Sequence, residues 1–240
     1  MSVVSRPRLL PAAATAVVAL VCLALGVWQL ERLVWKRNLI AERQEAIHAA
    51  PIPLPDTLEE ARPLEFHPVI AEGVFLNDKE IYLGAAAPGG GTPGLQVLTP
   101  LRLKDGRILF VNRGFVPSAV KDPEKRRDGQ LSGTVRVSGL LRLPKGKPSW
   151  LVPDNRPDLN YWFWVDLPAI AAVTSLSNVL PFYIDADATP NPGGWPKGGI
   201  TPIDLPNDHL QYAITWFALA AAAVAVYIVW RHQAGKTRHF

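Results

Sequence analysis

The sequence predicts an α+β membrane protein in which two transmembrane helices flank a mainly antiparallel β barrel or sandwich with one or two short helices. Residues 9–30 and 210–230 are uncharged apolar runs, each long enough to cross a bilayer as a helix of about 20 residues. Short β-prone runs separated by turn signals fill the chain between them. Strands this short and regularly spaced belong in a small barrel or sandwich.

Residues 1–10 are a short tail and 11–31 the first transmembrane helix. Arg6 and Arg8 resemble the basic leader of a cleavable signal peptide. A signal core, however, is usually about 7 to 15 residues long and ends in small residues. This run flows instead into Trp28, Leu33 and Trp35, and bulky Val21 before Cys22 argues against a lipoprotein, so the segment reads as a retained anchor. A helical extension is expected over 32–50, ended by Pro51, Pro53 and Pro55.

The β-rich domain follows at 51–188, with strands expected at 65–76, 80–85, 95–103, 108–116, 134–143, 161–166 and 182–185. Turn signals at Asn77-Asp78, Lys104-Asp-Gly106 and 89–94 punctuate them. The Asp105-Gly106 turn joins the clearest hairpin. One helix is expected within the domain, at 167–176. A Pro- and Gly-rich linker, 189–208, then leads to the second transmembrane helix, 209–230, and a basic tail, 231–240.

Net charge is +4, and its distribution matters more than its size. The tails hold Arg6, Arg8, Arg231, Lys236 and Arg238 and no acid, whereas the other 20 Lys and Arg face all 21 Asp and Glu between the spans. The central domain therefore lacks the basic excess of a nucleic-acid binder. Basic tails place both termini in the cytoplasm and the domain outside it. The bias is clear at the second span, but after the first span Arg32, Lys36, Arg37 and Arg43 outnumber Arg6 and Arg8. With only eight residues before the first run there is no long amphipathic presequence, which favours a bacterial plasma membrane over a mitochondrion.

Cys22 is the only cysteine and Met1 the only methionine, which excludes an intrachain disulfide, a Cys-x-x-Cys redox site and a soft copper-carrying cluster. No nucleophile elbow, phosphate loop, zinc-protease or dinucleotide motif is present, so no enzyme is expected. Asp185 and Asp187 share a side in an extended strand, but a strand end beside a polar loop explains them better than paired catalytic carboxylates. Gly114 in Asn112-Arg-Gly114 reads as a bulge or turn at a strand end, with Arg113 as an ion-pair partner.

At helical spacing Trp28, Arg32 and Trp35 share one face of the first helix, and His209, Tyr212 and Trp216 one face of the second. Both stripes lie at the same membrane boundary. Interfacial anchoring accounts for the aromatic and basic residues without any ligand. Asn207 or Asp208 suits a helix N-cap, but capping does not explain the imidazole, which is also a good ligand for haem iron or zinc. These residues alone leave both readings of His209 open. His48 and His67 lack metal-ligand spacing, and four-coordinate zinc is not expected.

Five segments resemble the Surfeit-locus-one family of cytochrome c oxidase assembly factors. They are Leu25-Gly-Val-Trp-Gln-Leu-Glu-Arg-Leu-Val-Trp-Lys36, Val111-Asn-Arg-Gly-Phe115, Gly139-Leu-Leu-Arg142, Tyr161-Trp-Phe-Trp-Val-Asp166 and Asn207-Asp-His-Leu-Gln-Tyr-Ala-Ile-Thr-Trp216. The likeness spans nearly the whole chain in order. It implies two membrane spans, an extracytoplasmic domain, and help in inserting haem a into the catalytic subunit of a haem-copper oxidase. That subunit, the haem a synthesis enzyme and the bilayer are the implied partners.

The resemblance further implies His209 as the iron ligand. Trp28, Trp35, Tyr212 and Trp216 would then face the macrocycle, and Arg32 or Lys36 the propionates. Two positions depart from the family pattern: Asp208 stands where a second Asn is usual, and Phe115 where a Trp is usual. Asp208 adds negative charge beside the ligand. The alternative is a cofactor-free scaffold that stabilises an oxidase assembly intermediate.

Overall fold

The computed structural model describes residues 9–86, 93–201 and 205–236. The chain divides into two units, Met1–Glu42 with Asp204–Phe240, and Arg43–Ile203. Parts of the terminal tails and of the 89–94 turn stretch lie outside the described residues.

The first unit is a helix pair. Helix α1 is Leu9–His48, whose residues up to Glu42 belong here, and the later helix, His209–Lys236, is named below after the two that precede it. Both are long and apolar enough to cross a membrane, with mean hydropathy of 2.4 and 2.1 over their most apolar windows. Ala19, Cys22, Gly26 and Leu33 are the buried residues of α1, and Ala213 and Ala220 are buried on the later helix. Apart from Leu33 these are small side chains, which let two backbones approach closely, the usual basis of helix pairing in lipid. Gly26 lies against the Phe217 ring, and a Cβ placed there would come within 2.5 Å of it.

The second unit, Arg43–Ile203, holds a β barrel. Its strands are β1 Pro68–Phe75, β2 Ile81–Ala86, β3 Pro93–Leu103, β4 Ile108–Pro117, β5 Thr134–Arg142 and β6 Val179–Ala186. Two short helices join them, α2 Leu58–Ala61 and α3 Leu167–Thr174, so the later membrane helix is α4. Sheet order is β1-β5-β6-β4-β3-β2. The length of β3 closes the ring: its first half pairs with β2, from Ile81 against Leu98, and its end returns to β1, with Gly73 against Leu103 and Phe75 against Leu101. The β4 and β6 pair is parallel and the other named pairings are antiparallel.

Alternation decides the faces. Strand β1 buries every second residue, Val69, Ala71 and Phe75 among them. These pack with Leu101, Leu109, Val111, Leu141, Phe182 and Ile184 in one core. On the other side Ile108, Phe110 and Tyr183 meet Trp162, Leu167 and Ile170, so β4 is buried on both faces. Each fully buried Leu, Ile or Phe contributes about 1.5–3 kcal/mol. Helix α3 begins where Asp166 accepts a hydrogen bond from the Ala169 amide, with Pro168 in its first turn.

Three expectations change in the structure. Residues 161–166 are not a strand: Trp162 makes one isolated bridge to Leu83 and is wholly buried, because its indole fills the space between β2 and α3. Strand β4 runs over Ile108–Pro117, close to the expected 108–116, and Gly114 lies at a bulge as one reading had it, but inside the strand rather than at its end, with Val97 paired to Gly114 and Leu98 to Asn112. Residues following β6, read as linker, bond back onto the barrel, with Lys197 and Phe115 exchanging two backbone hydrogen bonds of 2.9 Å.

Candidate functional site

His209 opens α4, and its first turn closes through the Tyr212 amide to the Asp208 carbonyl, 3.2 Å. The Asn207 Oδ1 is buried without a partner among the described residues. The His209 ring is half-buried, with its Nδ1 2.7 Å from the Gln29 Oε1 on α1. The contacts of Gln29 with His209 and of Gly26 with Phe217 run in opposite order along the two helices, so the pair is antiparallel.

This contact sets the chemistry of the imidazole. An amide oxygen only accepts, so Nδ1 is the nitrogen that carries a hydrogen here, and in the neutral ring the lone pair then sits on Nε2. A neutral imidazole oriented through one nitrogen and open at the other is the form a metal ligand takes. Among the described residues there is no cluster of three His, Cys, Asp or Glu.

The other expected residues stand as follows. Trp28, Trp35 and Tyr212 are each about half exposed, at 50%, 49% and 56%, on the outer faces of the helices. Trp216 and Lys36 are half-buried, and the Arg32 guanidinium lies 4.1 Å from the centre of the Trp35 ring, a cation-π contact. The side chain hydrogen-bonded to His209 is therefore Gln29, which the sequence reading did not single out. Its signal was present, a lone amide near the end of an uncharged apolar run, where a polar group needs a partner.

The barrel separates the two aspartates. Asp185 is buried and accepts from Arg142 Nη1 at 2.5 Å, Asn112 Nδ2 at 2.8 Å and Thr201 Oγ1 at 3.0 Å, whereas exposed Asp187 caps the Thr189 amide. A second buried network centres on Glu80, which accepts from Arg126 Nη1 at 3.1 Å and Nη2 at 2.5 Å, Gln130 Nε2 at 3.1 Å and the Tyr82 hydroxyl at 3.2 Å. Burial first, and then the Glu80 charge, pushes the Tyr82 phenol up to about 12; burial and then Asp185 do the same for Tyr183.

A family described as the SURF1 family matches residues 16–221. A SURF1-like protein of Monosiga brevicollis is 38% identical over 231 residues, spanning 91% of this chain and 87% of the relative. Surfeit locus protein 1 of Homo sapiens is 38% identical over 213 residues, 82% of this chain and 70% of the relative. A SURF1-like protein of Drosophila melanogaster is 34% identical over 215 residues, with 82% and 70% covered.

Proposed function

This chain belongs to the SURF1 family, and on that premise we propose that it is an assembly factor for a haem-copper terminal oxidase, binding haem a and assisting its delivery to the catalytic subunit. The observation that carries the reading is the 2.7 Å contact of His209 Nδ1 with Gln29 Oε1, which leaves Nε2 as a free donor atom on a membrane helix. Through that atom His209 would hold the haem iron as a single protein ligand.

The remaining residues have supporting parts. Half-exposed Trp28, Trp35 and Tyr212, together with Trp216, offer aromatic faces to an apolar macrocycle that is poorly soluble in water. Arg32 and Lys36 offer cations for its carboxylates, as point charges or forks. His209 Nε2 would hold the iron, whose binding would supply a metal–ligand bond that anchors the macrocycle. The chain would work in a bacterial plasma membrane as a two-pass protein, with the β domain outside the cytoplasm and the haem a synthesis enzyme and the oxidase catalytic subunit as partners.

A second reading, a cofactor-free scaffold, draws on the same outward aromatic faces, which suit packing against helices of an oxidase intermediate. Co-expression with the haem a synthesis enzymes, followed by purification, separates the two. We expect a Soret band that disappears in His209→Ala while the protein still folds. A wild type without the band, or a variant that keeps it undiminished, supports the scaffold and rejects the carrier.

A further inference from the structure

After Arg142 the chain leaves β5 into a long loop, 143–156, whose tip presents two large apolar side chains outward. Residues Ser149–Val152 form a tight turn, in which the Val152 amide donates to the Ser149 carbonyl at 3.1 Å and the Leu151 amide to Ser149 Oγ at 3.3 Å. The central positions of such a turn usually hold Gly, Asn, Asp or Pro. Here they hold Trp150 and Leu151, 86% and 71% exposed. Other large apolar side chains of comparable exposure, Leu9, Leu10 and Val226, stand on the membrane helices α1 and α4. The tip therefore has the surface chemistry of a segment that lipid covers.

The loop is braced below its tip. Lys147 Nζ pairs with Asp154 Oδ1 at 2.6 Å across the two limbs, and the same ammonium lies 5.5 Å from the centre of the Trp164 ring. Asn155 closes the base, its Oδ1 accepting from the Phe163 amide at 2.8 Å and the Trp164 amide at 3.3 Å. A tip held in this way loses little conformational freedom when something covers it. Asp154 is the one acid in the loop, which also carries Lys145, Lys147 and Arg156. Lys147 neutralises that acid, so no unpaired negative charge opposes an approach to lipid phosphates.

The root of the loop lies where the chain enters and leaves the barrel unit. Arg43, the first residue of that unit, has its guanidinium 4.3 Å from the centre of the Phe66 ring, and Arg142 and Lys145 approach the same ring at 4.8 and 5.8 Å. Thr201, close to the last residue of the unit, donates from Oγ1 to the Asp185 Oδ2 that also accepts from Arg142. Both segments that lead on to the membrane helices thus pass beside Arg142. We infer that the tip formed by Trp150 and Leu151 inserts into the interfacial layer of the bilayer that α1 and α4 cross. An indole suits that layer, which covers its apolar body and leaves its N–H wet, and the Leu side chain adds apolar burial. Lys145, with its ammonium exposed beside Glu65, can meet lipid phosphates. Because the two spans already hold the chain at the membrane, insertion is intramolecular, and two side chains suffice where a free protein needs a larger surface. This contact requires no haem.

The test uses the full chain in vesicles of phosphatidylcholine and phosphatidylglycerol. Cys22→Ala removes the one native thiol, and Leu151→Cys or Ser132→Cys then carries an environment-sensitive fluorophore. Ser132 is exposed just before β5, at the strand end opposite Arg142. The label on Leu151→Cys should be quenched by lipids bearing a nitroxide on the upper acyl chain and shielded from aqueous iodide, and the label on Ser132→Cys should show the reverse. Covering one large apolar side chain is worth a factor of at least about ten in an equilibrium constant, so Trp150→Glu should lower the ratio of inserted to solvated label by at least about tenfold. Since neither tip side chain is buried, the thermal transition in detergent should not move. A label on Leu151→Cys that stays open to iodide and untouched by the nitroxide lipids would overturn insertion and leave the tip to a protein partner. Shielding that grows with the protein-to-lipid ratio, the mark of a second copy, or nitroxide quenching undiminished in Trp150→Glu, would overturn it as well.

Discussion

Gln29 and His209 form a pair in which each residue gives the other a role. Near the end of an apolar run the amide needs a hydrogen-bond partner, and the imidazole needs an acceptor to fix its tautomer. Gln29→Leu, close in size, removes the acceptor and leaves the ring free to turn. Haem affinity is expected to fall about 10–100-fold, the usual cost of losing a residue that orients a metal ligand. Nitrogen NMR of His209 in the haem-free chain supplies a second measure: hydrogen on Nδ1 in the wild type, and a mixture of tautomers in the variant. An unchanged tautomer together with unchanged affinity would remove Gln29 from the account.

At the scale of elements, close approach of α1 and α4 depends on small residues at the seam, and Gly26 is the tightest point of contact with Phe217. Gly26→Val puts new atoms into the Phe217 ring and should cost about 1–3 kcal/mol, the range for overpacking. The thermal transition of the helix pair in detergent should drop, and Phe217→Ala in the same chain should recover part of it, since the two residues touch and their effects are not additive. Recovery absent, with Gly26→Val itself destabilising, would place the strain elsewhere than this contact. The bulge in β4 is the corresponding device in the barrel, since one added residue moves Arg113 off the ladder.

At the scale of the whole molecule, the Arg43–Ile203 unit has its own closed sheet and its own cores, so it should fold without the membrane helices. Expressed alone, it is expected to unfold in one cooperative denaturant transition. Its pH response follows from Tyr82 and Tyr183, whose native pKa of about 12 lies above the unfolded value of about 10. The folded state therefore binds more protons in that window, so stability is whole below about pH 10 and is lost as pH rises through 12. A denaturation midpoint that stays level to about pH 10 and then falls, with two late phenolate signals in the ultraviolet titration, is the expected result. Early ionisation of both phenols would contradict their burial.

Much of this organisation is local and was therefore legible in the chain. The lengths of the apolar runs set two membrane helices, alternating strands and an Asp105-Gly106 turn set a β domain, and five motifs pointed to the family that the comparisons support. Tertiary structure decided the rest. That Gln29 meets His209 depends on which faces of two helices come together across 180 residues of sequence, and no periodicity within either helix encodes the partner. Closure of the ring at β1 and β3, the folding back of residues 197–199, and the burial of Arg113 likewise arise from pairings between distant strands and loops. Gly114 already suggested a bulge, but that Arg113 is the residue left unpaired follows only from the register of β3.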